Sequence, residues 1–129
     1  MNTLEKWHEV FETKDMSKLD ALLAEDAVMI SPVVHTFQRG KEITKKYLTA
    51  AGVVLGNENF RYINEFQADT GAVLEFETEI DGVYVNGVDL ISWNEAGEIT
   101  EFKVMIRPLQ AVNAVHAKMG ELLALAQKK

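Results

Sequence analysis

Cysteine is absent from the 129-residue chain, which removes thiol nucleophiles, disulfide scaffolds, iron-sulfur clusters and thiolate zinc sites. Histidine is scarce. His8, His35 and His116 fall on widely separated stretches, a spacing that makes no metal triad, so neither a metal nor a cofactor is expected. Cations are the minority charge, 13 Lys+Arg against 20 Asp+Glu for a formal net charge of -7. Such a surface repels phosphate backbones and anionic membranes, so nucleic acid and membrane are not expected partners. No apolar run approaches the roughly eighteen residues of a spanning helix, and the start MNTLEKWHEVFE lacks the basic and apolar regions of a signal peptide. A cytoplasmic protein is the expectation. What is present, 47% hydrophobic and 26% charged residues, is the balance of one globular domain spanning residues 1–129, with a core of its own.

Asn2-Thr3-Leu4-Glu5 reads as a capping box, and Leu4, Trp7 and Phe11 recur at helical spacing behind it. Lys14-Asp15 breaks the pattern, and Asp15 can cap a second short helix whose inner face is Met16, Leu19, Leu22 and Leu23. Ala27-Val-Met-Ile30 is a β-prone run closed by Ser31-Pro32. Val33 to Arg39 has no clear period, and from Lys41 the positions Ile43, Tyr47, Leu48 and Ala51 predict a helix ending at Gly52.

Past Asn57 the period changes from 3.6 to 2. Phe60, Tyr62, Asn64 and Phe66 alternate with Arg61, Ile63 and Glu65, then Leu74, Phe76, Thr78 and Ile80 alternate with Glu75, Glu77 and Glu79. Asp81-Gly82 is a hairpin signal, and Asn86-Gly87 five residues later reads as a bulge. Val88 to Trp93 and Ile99 to Ile106 make two further strands around the turn at Asn94 to Gly97. After Pro108 the stripe Leu109, Val112, Val115, Met119, Leu122 and Leu123 predicts an amphipathic helix over residues 109–127 that folds back onto the domain or a partner. Helices first and a meander afterwards is an α+β order: a curved antiparallel sheet wrapped over N-terminal helices, with a C-terminal helix.

Asp15-Met-Ser-Lys-Leu-Asp-Ala-Leu-Leu-Ala-Glu-Asp-Ala-Val, Gly40-Lys-Glu-Ile and Trp93-Asn-Glu-Ala-Gly97-Glu-Ile99 together resemble the nuclear transport factor 2-like superfamily, in its SnoaL-like branch related to polyketide cyclases and ketosteroid isomerases. The resemblance runs from about Leu4 to Pro108. It implies a cystatin-like cone-shaped roll, open at one end onto an apolar pocket that carries different chemistry, or none, in different members.

Asp89 is the first candidate, since alternation within Val88-Asp-Leu-Ile91 places it on the face shared by Ile91 and Trp93. Burial without a cationic partner favours its neutral acid. The position resembles the aspartic acid with which ketosteroid isomerases donate a hydrogen bond to a developing enolate oxygen, a role that needs a protonated carboxyl. Its alternative is a structural hydrogen bond to Trp7 or to the backbone. Trp7 stands where those isomerases carry the tyrosine of the oxyanion site; its indole donates one hydrogen bond and takes no proton. Ser31 stands where their proton-shuttling aspartate stands, and a serine hydroxyl alone is too weak a base. His35, at the expected pocket mouth, is the candidate replacement. Dehydratase-like members use two histidines on the sheet, and Phe60 to Ile106 contain none.

In-facing strand positions and the helix stripe predict Phe37, Tyr47, Phe60, Tyr62, Leu74, Phe76, Ile91, Trp93, Phe102 and Val104 as pocket liners. Three functions fit this set: an isomerase, cyclase or hydratase acting on a hydrophobic carbonyl compound through Asp89 without a cofactor; a non-catalytic binder of a hydrophobic small molecule; and an interaction module. The outer sheet face, carrying Ile63, Val73, Val88, Leu90 and Met105 among its charges, predicts a homodimer.

Overall fold

The computed structural model describes residues 2–127. Helix α1 (Thr3–Thr13) opens on the capping box: the Asn2 side chain accepts from the Glu5 amide at 2.8 Å, and the Glu5 carboxylate accepts from the Asn2 amide at 3.1 Å. It ends at Lys14, which turns left-handed (φ 57°) and donates its N–H to Val10. Helix α2 (Met16–Leu22) is capped by Asp15, whose carboxylate accepts from the Ser17 and Lys18 amides. Leu23 does not continue that helix. It goes extended and begins strand β1 (Leu23–Ile30), earlier than the β-prone run indicates, because it pairs with Ile99 and is fully buried there.

The aperiodic segment after Pro32 ends in strand β2 (Gln38–Arg39), and helix α3 (Lys41–Val54) runs past the expected end at Gly52 to Val54. Strands β3 (Arg61–Ala68), β4 (Gly71–Ile80), β5 (Val83–Trp93) and β6 (Ile99–Arg107) follow, then helix α4 (Leu109–Gln127). The six-stranded curved sheet has the order β2-β1-β6-β5-β4-β3. It is mixed rather than wholly antiparallel: β1 and β6 run parallel, because the β3–β6 meander returns its last strand alongside the first.

Between β4 and β5 the Asp81-Gly82 turn has positive φ at both residues, 49° and 83°, which matches the twist of a two-residue hairpin. The bulge expected at Asn86-Gly87 is not there. Pairing runs unbroken from Gly71 opposite Ser92 to Ile80 opposite Val83. A bulge sits instead in β3, where Tyr62 faces Phe76 and Asn64 faces Glu75, leaving Ile63 as the extra residue. One extra residue exchanges the faces of everything beyond it. Asn64 and Phe66, expected inside, therefore join Glu75 and Val73 on the outer face, where Phe66 is 67% exposed.

All four helices pack on the other face. Leu4, Trp7 and Val10 of α1, Leu19 and Leu22 of α2 and Leu48 of α3 form one buried cluster with Phe76, Ile91 and Phe102 of the sheet. Helix α4 folds back onto this cluster through Ala111, Val115 and Met119, and Lys118 pairs with Asp81 at 3.0 Å. Val115 and Met119 are buried and Leu122 and Leu123 pack on the core as the expected stripe has them, while the first turn buries Ala111 and leaves Leu109 exposed. Among the described residues no helix is long and apolar enough to cross a membrane.

Candidate functional site

Asp89 lies between Leu74 of β4 and Val104 of β6, pointing to the helix-covered face, and is 6% exposed. Tyr62, the last residue of β3 before the bulge, reaches it across the sheet and donates its hydroxyl to Asp89 Oδ2 at 2.7 Å. Trp7, on the buried stripe of α1, donates its indole Nε1–H to the Tyr62 oxygen at 3.1 Å. The three groups form a one-way chain of donors that ends on a carboxyl with no cation beside it.

Burial pushes the Asp89 pKa up from 3.8 to about 7, and the Tyr62 hydrogen bond offsets only part of that rise. Burial and the neighbouring Asp89 together push the Tyr62 phenol well above its usual value, so it stays a neutral donor. Asp89 Oδ2 is occupied by Tyr62, and Oδ1 takes no hydrogen bond from the described residues. Oδ1 is nonetheless not a sealed orphan, for Asp89 lines a cavity of about 30 Å³ walled by Trp7, Phe11, Leu48, Phe60, Phe76 and Phe102. The walls are packed aromatics: Trp7 against Phe102 with centroids 4.8 Å apart, Phe11 against Phe60 at 4.6 Å and Phe60 stacked on Phe76 at 5.1 Å.

Trp7, Phe11, Leu48 and Gly52 also line a neighbouring groove of about 340 Å³ between α1, α2 and α3, beside Lys14 and Gly56. A wider hollow of about 910 Å³, between α3 and the end of α4, does not touch Asp89.

The sequence-derived candidates divide accordingly. Phe60, Phe76, Phe102 and Val104 line the cavity with Asp89 and Trp7. Tyr62 is the link rather than a wall. Leu74 and Ile91 are interior packing, and Tyr47 packs on the core from α3. Trp93 lies at the end of the sheet and donates its indole N–H to the Asp69 carbonyl at 3.1 Å, away from the cavity. Phe37 is 46% exposed, beneath the Arg39 guanidinium.

His35 is not brought to Asp89. With Ser31, Pro32 and His116 it lines a separate hollow of about 460 Å³, because the segment after β1 turns toward α4 and not toward α1. Ser31 is likewise turned to its own backbone, its Oγ accepting from the Val33 amide at 3.2 Å. His8 faces outward and meets Glu65 at 2.8 Å. The residues that sequence reading missed are Phe11, Leu48, Ala51 and Gly52, read as helix stripe or helix end, Leu55, beyond the expected helix end, and Lys14, read as a break in the pattern.

No curated protein matches this chain. Among solved structures, a steroid delta-isomerase from Pseudomonas aeruginosa superposes with a TM-score of 0.92 and 31% identity over 98% of this chain and 93% of that one. A protein with a cystatin-like fold from Silicibacter pomeroyi gives a TM-score of 0.87 and 32% identity over 95% and 85%. An NTF2-like protein from Mesorhizobium loti shares the fold at a TM-score of 0.70 with 21% identity over 82% and 88%. With residues 4–102 matching the SnoaL-like domain, the chain belongs to the SnoaL-like family, and it shares its fold with NTF2-like proteins.

Proposed function

We propose that this protein is a cytoplasmic binder of an apolar small molecule, which it holds by a carbonyl oxygen on the protonated Asp89. One observation carries the reading: a buried carboxyl whose only hydrogen-bond partner among the described residues is a neutral donor keeps its second oxygen free at a cavity that shares walls with an apolar groove. A neutral Asp89 has a proton to donate, and Tyr62, itself oriented by Trp7, holds the group in one orientation. Likeness to a steroid delta-isomerase adds a second reading, in which the same hydrogen bond stabilises an enolate. That chemistry also needs a proton acceptor beside the ligand. Every other side chain lining the cavity is apolar, and Ser31 and His35 lie elsewhere, so binding is favoured over turnover. Butyrophenone, a neutral aryl ketone, tests the assignment by isothermal titration and by the infrared carbonyl stretch of the bound ketone. It is expected to bind the wild type with a lowered stretch and to bind Asp89→Asn comparably. Asp89→Leu should lose about tenfold in affinity, the worth of one buried hydrogen bond. Equal affinity and an equally lowered stretch in Asp89→Leu would remove the oxygen from Asp89.

The outer face of the sheet supports a homodimer. Phe66, Val73 and Leu90 form a cross-strand row on β3, β4 and β5, with Val88 and Met105 paired next to it. Phe66 and Met105 are exposed, and a contiguous apolar row on a water-facing sheet is an interaction surface. Sedimentation equilibrium at tens of micromolar is expected to give twice the 14.5 kDa chain mass, and Met105→Glu to give the monomer. A monomeric wild type excludes this assembly.

A further inference from the structure

Along the groove that shares walls with the Asp89 cavity, Lys14 is the sole charged lining residue. Its ammonium lies 3.9 Å from the centroid of Phe11. The space it occupies exists because Gly56 of the facing segment lacks a side chain: a Cβ there would sit 2.5 Å from Nζ. Acids outnumber cations 20 to 13 in this chain, and Lys18, Lys41, Lys45 and Lys118 all meet carboxylates. Among the described residues no carboxylate lies within ion-pair distance of Lys14. Its backbone is left-handed, φ 57° and ψ 28°, a helix-ending conformation that glycine or asparagine adopts at lower cost. A lysine is thus held against the local backbone preference, with its charge laid along an apolar groove and no counter-charge.

We infer that the groove takes an amphipathic organic acid, whose carboxylate pairs with Lys14 while its apolar body lies between α1 and α3 and a carbonyl oxygen reaches Asp89. This rests on the reading of Asp89 as the partner of the ligand's oxygen and adds the second polar end of the ligand. Desolvation lowers the Lys14 pKa, the direction expected of an ammonium partly withdrawn from water, and a bound carboxylate would favour the charged form and oppose that shift. Lysine suits the task because its flexible stem carries the ammonium over the Phe11 ring at the groove wall.

The test compares benzoylbutyrate, an aryl keto acid, with its methyl ester, which keeps the ketone and removes the charge. Titration calorimetry is run on the wild type and on Lys14→Gly, Lys14→Met, Lys14→Arg and Asp89→Leu. Lys14→Gly relieves the left-handed backbone, so its melting temperature is expected to be unchanged or higher, which separates lost binding from lost folding. The acid should bind the wild type about tenfold tighter than the ester, the worth of a charge-assisted hydrogen bond. That ratio should fall to about one in Lys14→Gly and Lys14→Met, with ester affinity kept within about twofold, and persist in Lys14→Arg. Asp89→Leu should weaken acid and ester equally. A ratio that survives in both Lys14→Gly and Lys14→Met overturns the inference, as does an acid that binds the wild type no better than its ester or not at all. If only Asp89→Leu is without effect, the carboxylate site stands and the carbonyl site falls.

Discussion

Truncating Phe76 to alanine is expected to cost about 3–5 kcal/mol of stability. The ring is fully buried, stacks on Phe60 at 5.1 Å and forms a wall of the cavity beside Asp89. Removing it merges the ring's volume with a cavity already about 30 Å³ large, so the site cannot collapse around a smaller side chain. The same ring explains Gly87. A Cβ there would lie 2.6 Å from Phe76 Cζ and 2.7 Å from the Met105 carbonyl oxygen. Gly87→Ala should therefore cost about 1–3 kcal/mol through overpacking. In the double variant the ring half of that clash is gone and the carbonyl half remains, so Gly87→Ala should be cheaper on the Phe76→Ala background by more than about 0.5 kcal/mol. Urea denaturation of the four proteins measures the cycle. Additive costs would show that the ring does not lie over Gly87.

What could be read from the sequence and what could not divide along the range of the interactions. The Asn2 capping box, the Asp15 cap and the Asp81-Gly82 turn are local, and each forms as its residues dictate. Asp89 faces inward because period-2 alternation holds through an unbroken β5 register to Ser92. The same alternation places Tyr62 correctly and fails at Asn64 and Phe66, since the extra residue Ile63 is fixed by β4 pairing and by no turn or glycine signal. Gly87 carries such a signal but for another cause, the ring of a neighbouring strand. The parallel β1–β6 pair and the direction of the segment carrying His35 depend on contacts far apart in the chain. Lys14 shows the same limit: it breaks a helical pattern, and only the approach of α3 to α1 turns that break into a charge at a groove.

Replacing Asp89 with asparagine is expected to stabilise the protein at neutral and alkaline pH and to leave it nearly unchanged in acid. The folded protein holds the Asp89 proton with a pKa pushed up by burial to about 7, against 3.8 for the ordinary carboxyl. Between these values the folded state keeps the proton while the unfolded chain has lost it, so stability falls as pH rises. The favourable contribution is complete below 3.8 and is gone once pH passes about 7. At about 1.4 kcal/mol per unit the full excursion amounts to about 4 kcal/mol. Asparagine does not titrate, and its side-chain oxygen still accepts the Tyr62 hydroxyl. The stability difference between Asp89→Asn and wild type should therefore grow from near zero at about pH 4 to several kcal/mol at about pH 8, and subtraction removes every carboxylate the two proteins share. Butyrophenone binding by the wild type should weaken over the upper part of the same range, because a carboxylate cannot donate, while binding by Asp89→Asn stays level. Parallel stability curves for the two proteins would mean that Asp89 is charged and solvated at neutral pH. A rising difference together with pH-dependent binding would mean that the fold carries an acid at a cost to its own stability, in return for a donor hydrogen that a leucine at this position does not supply.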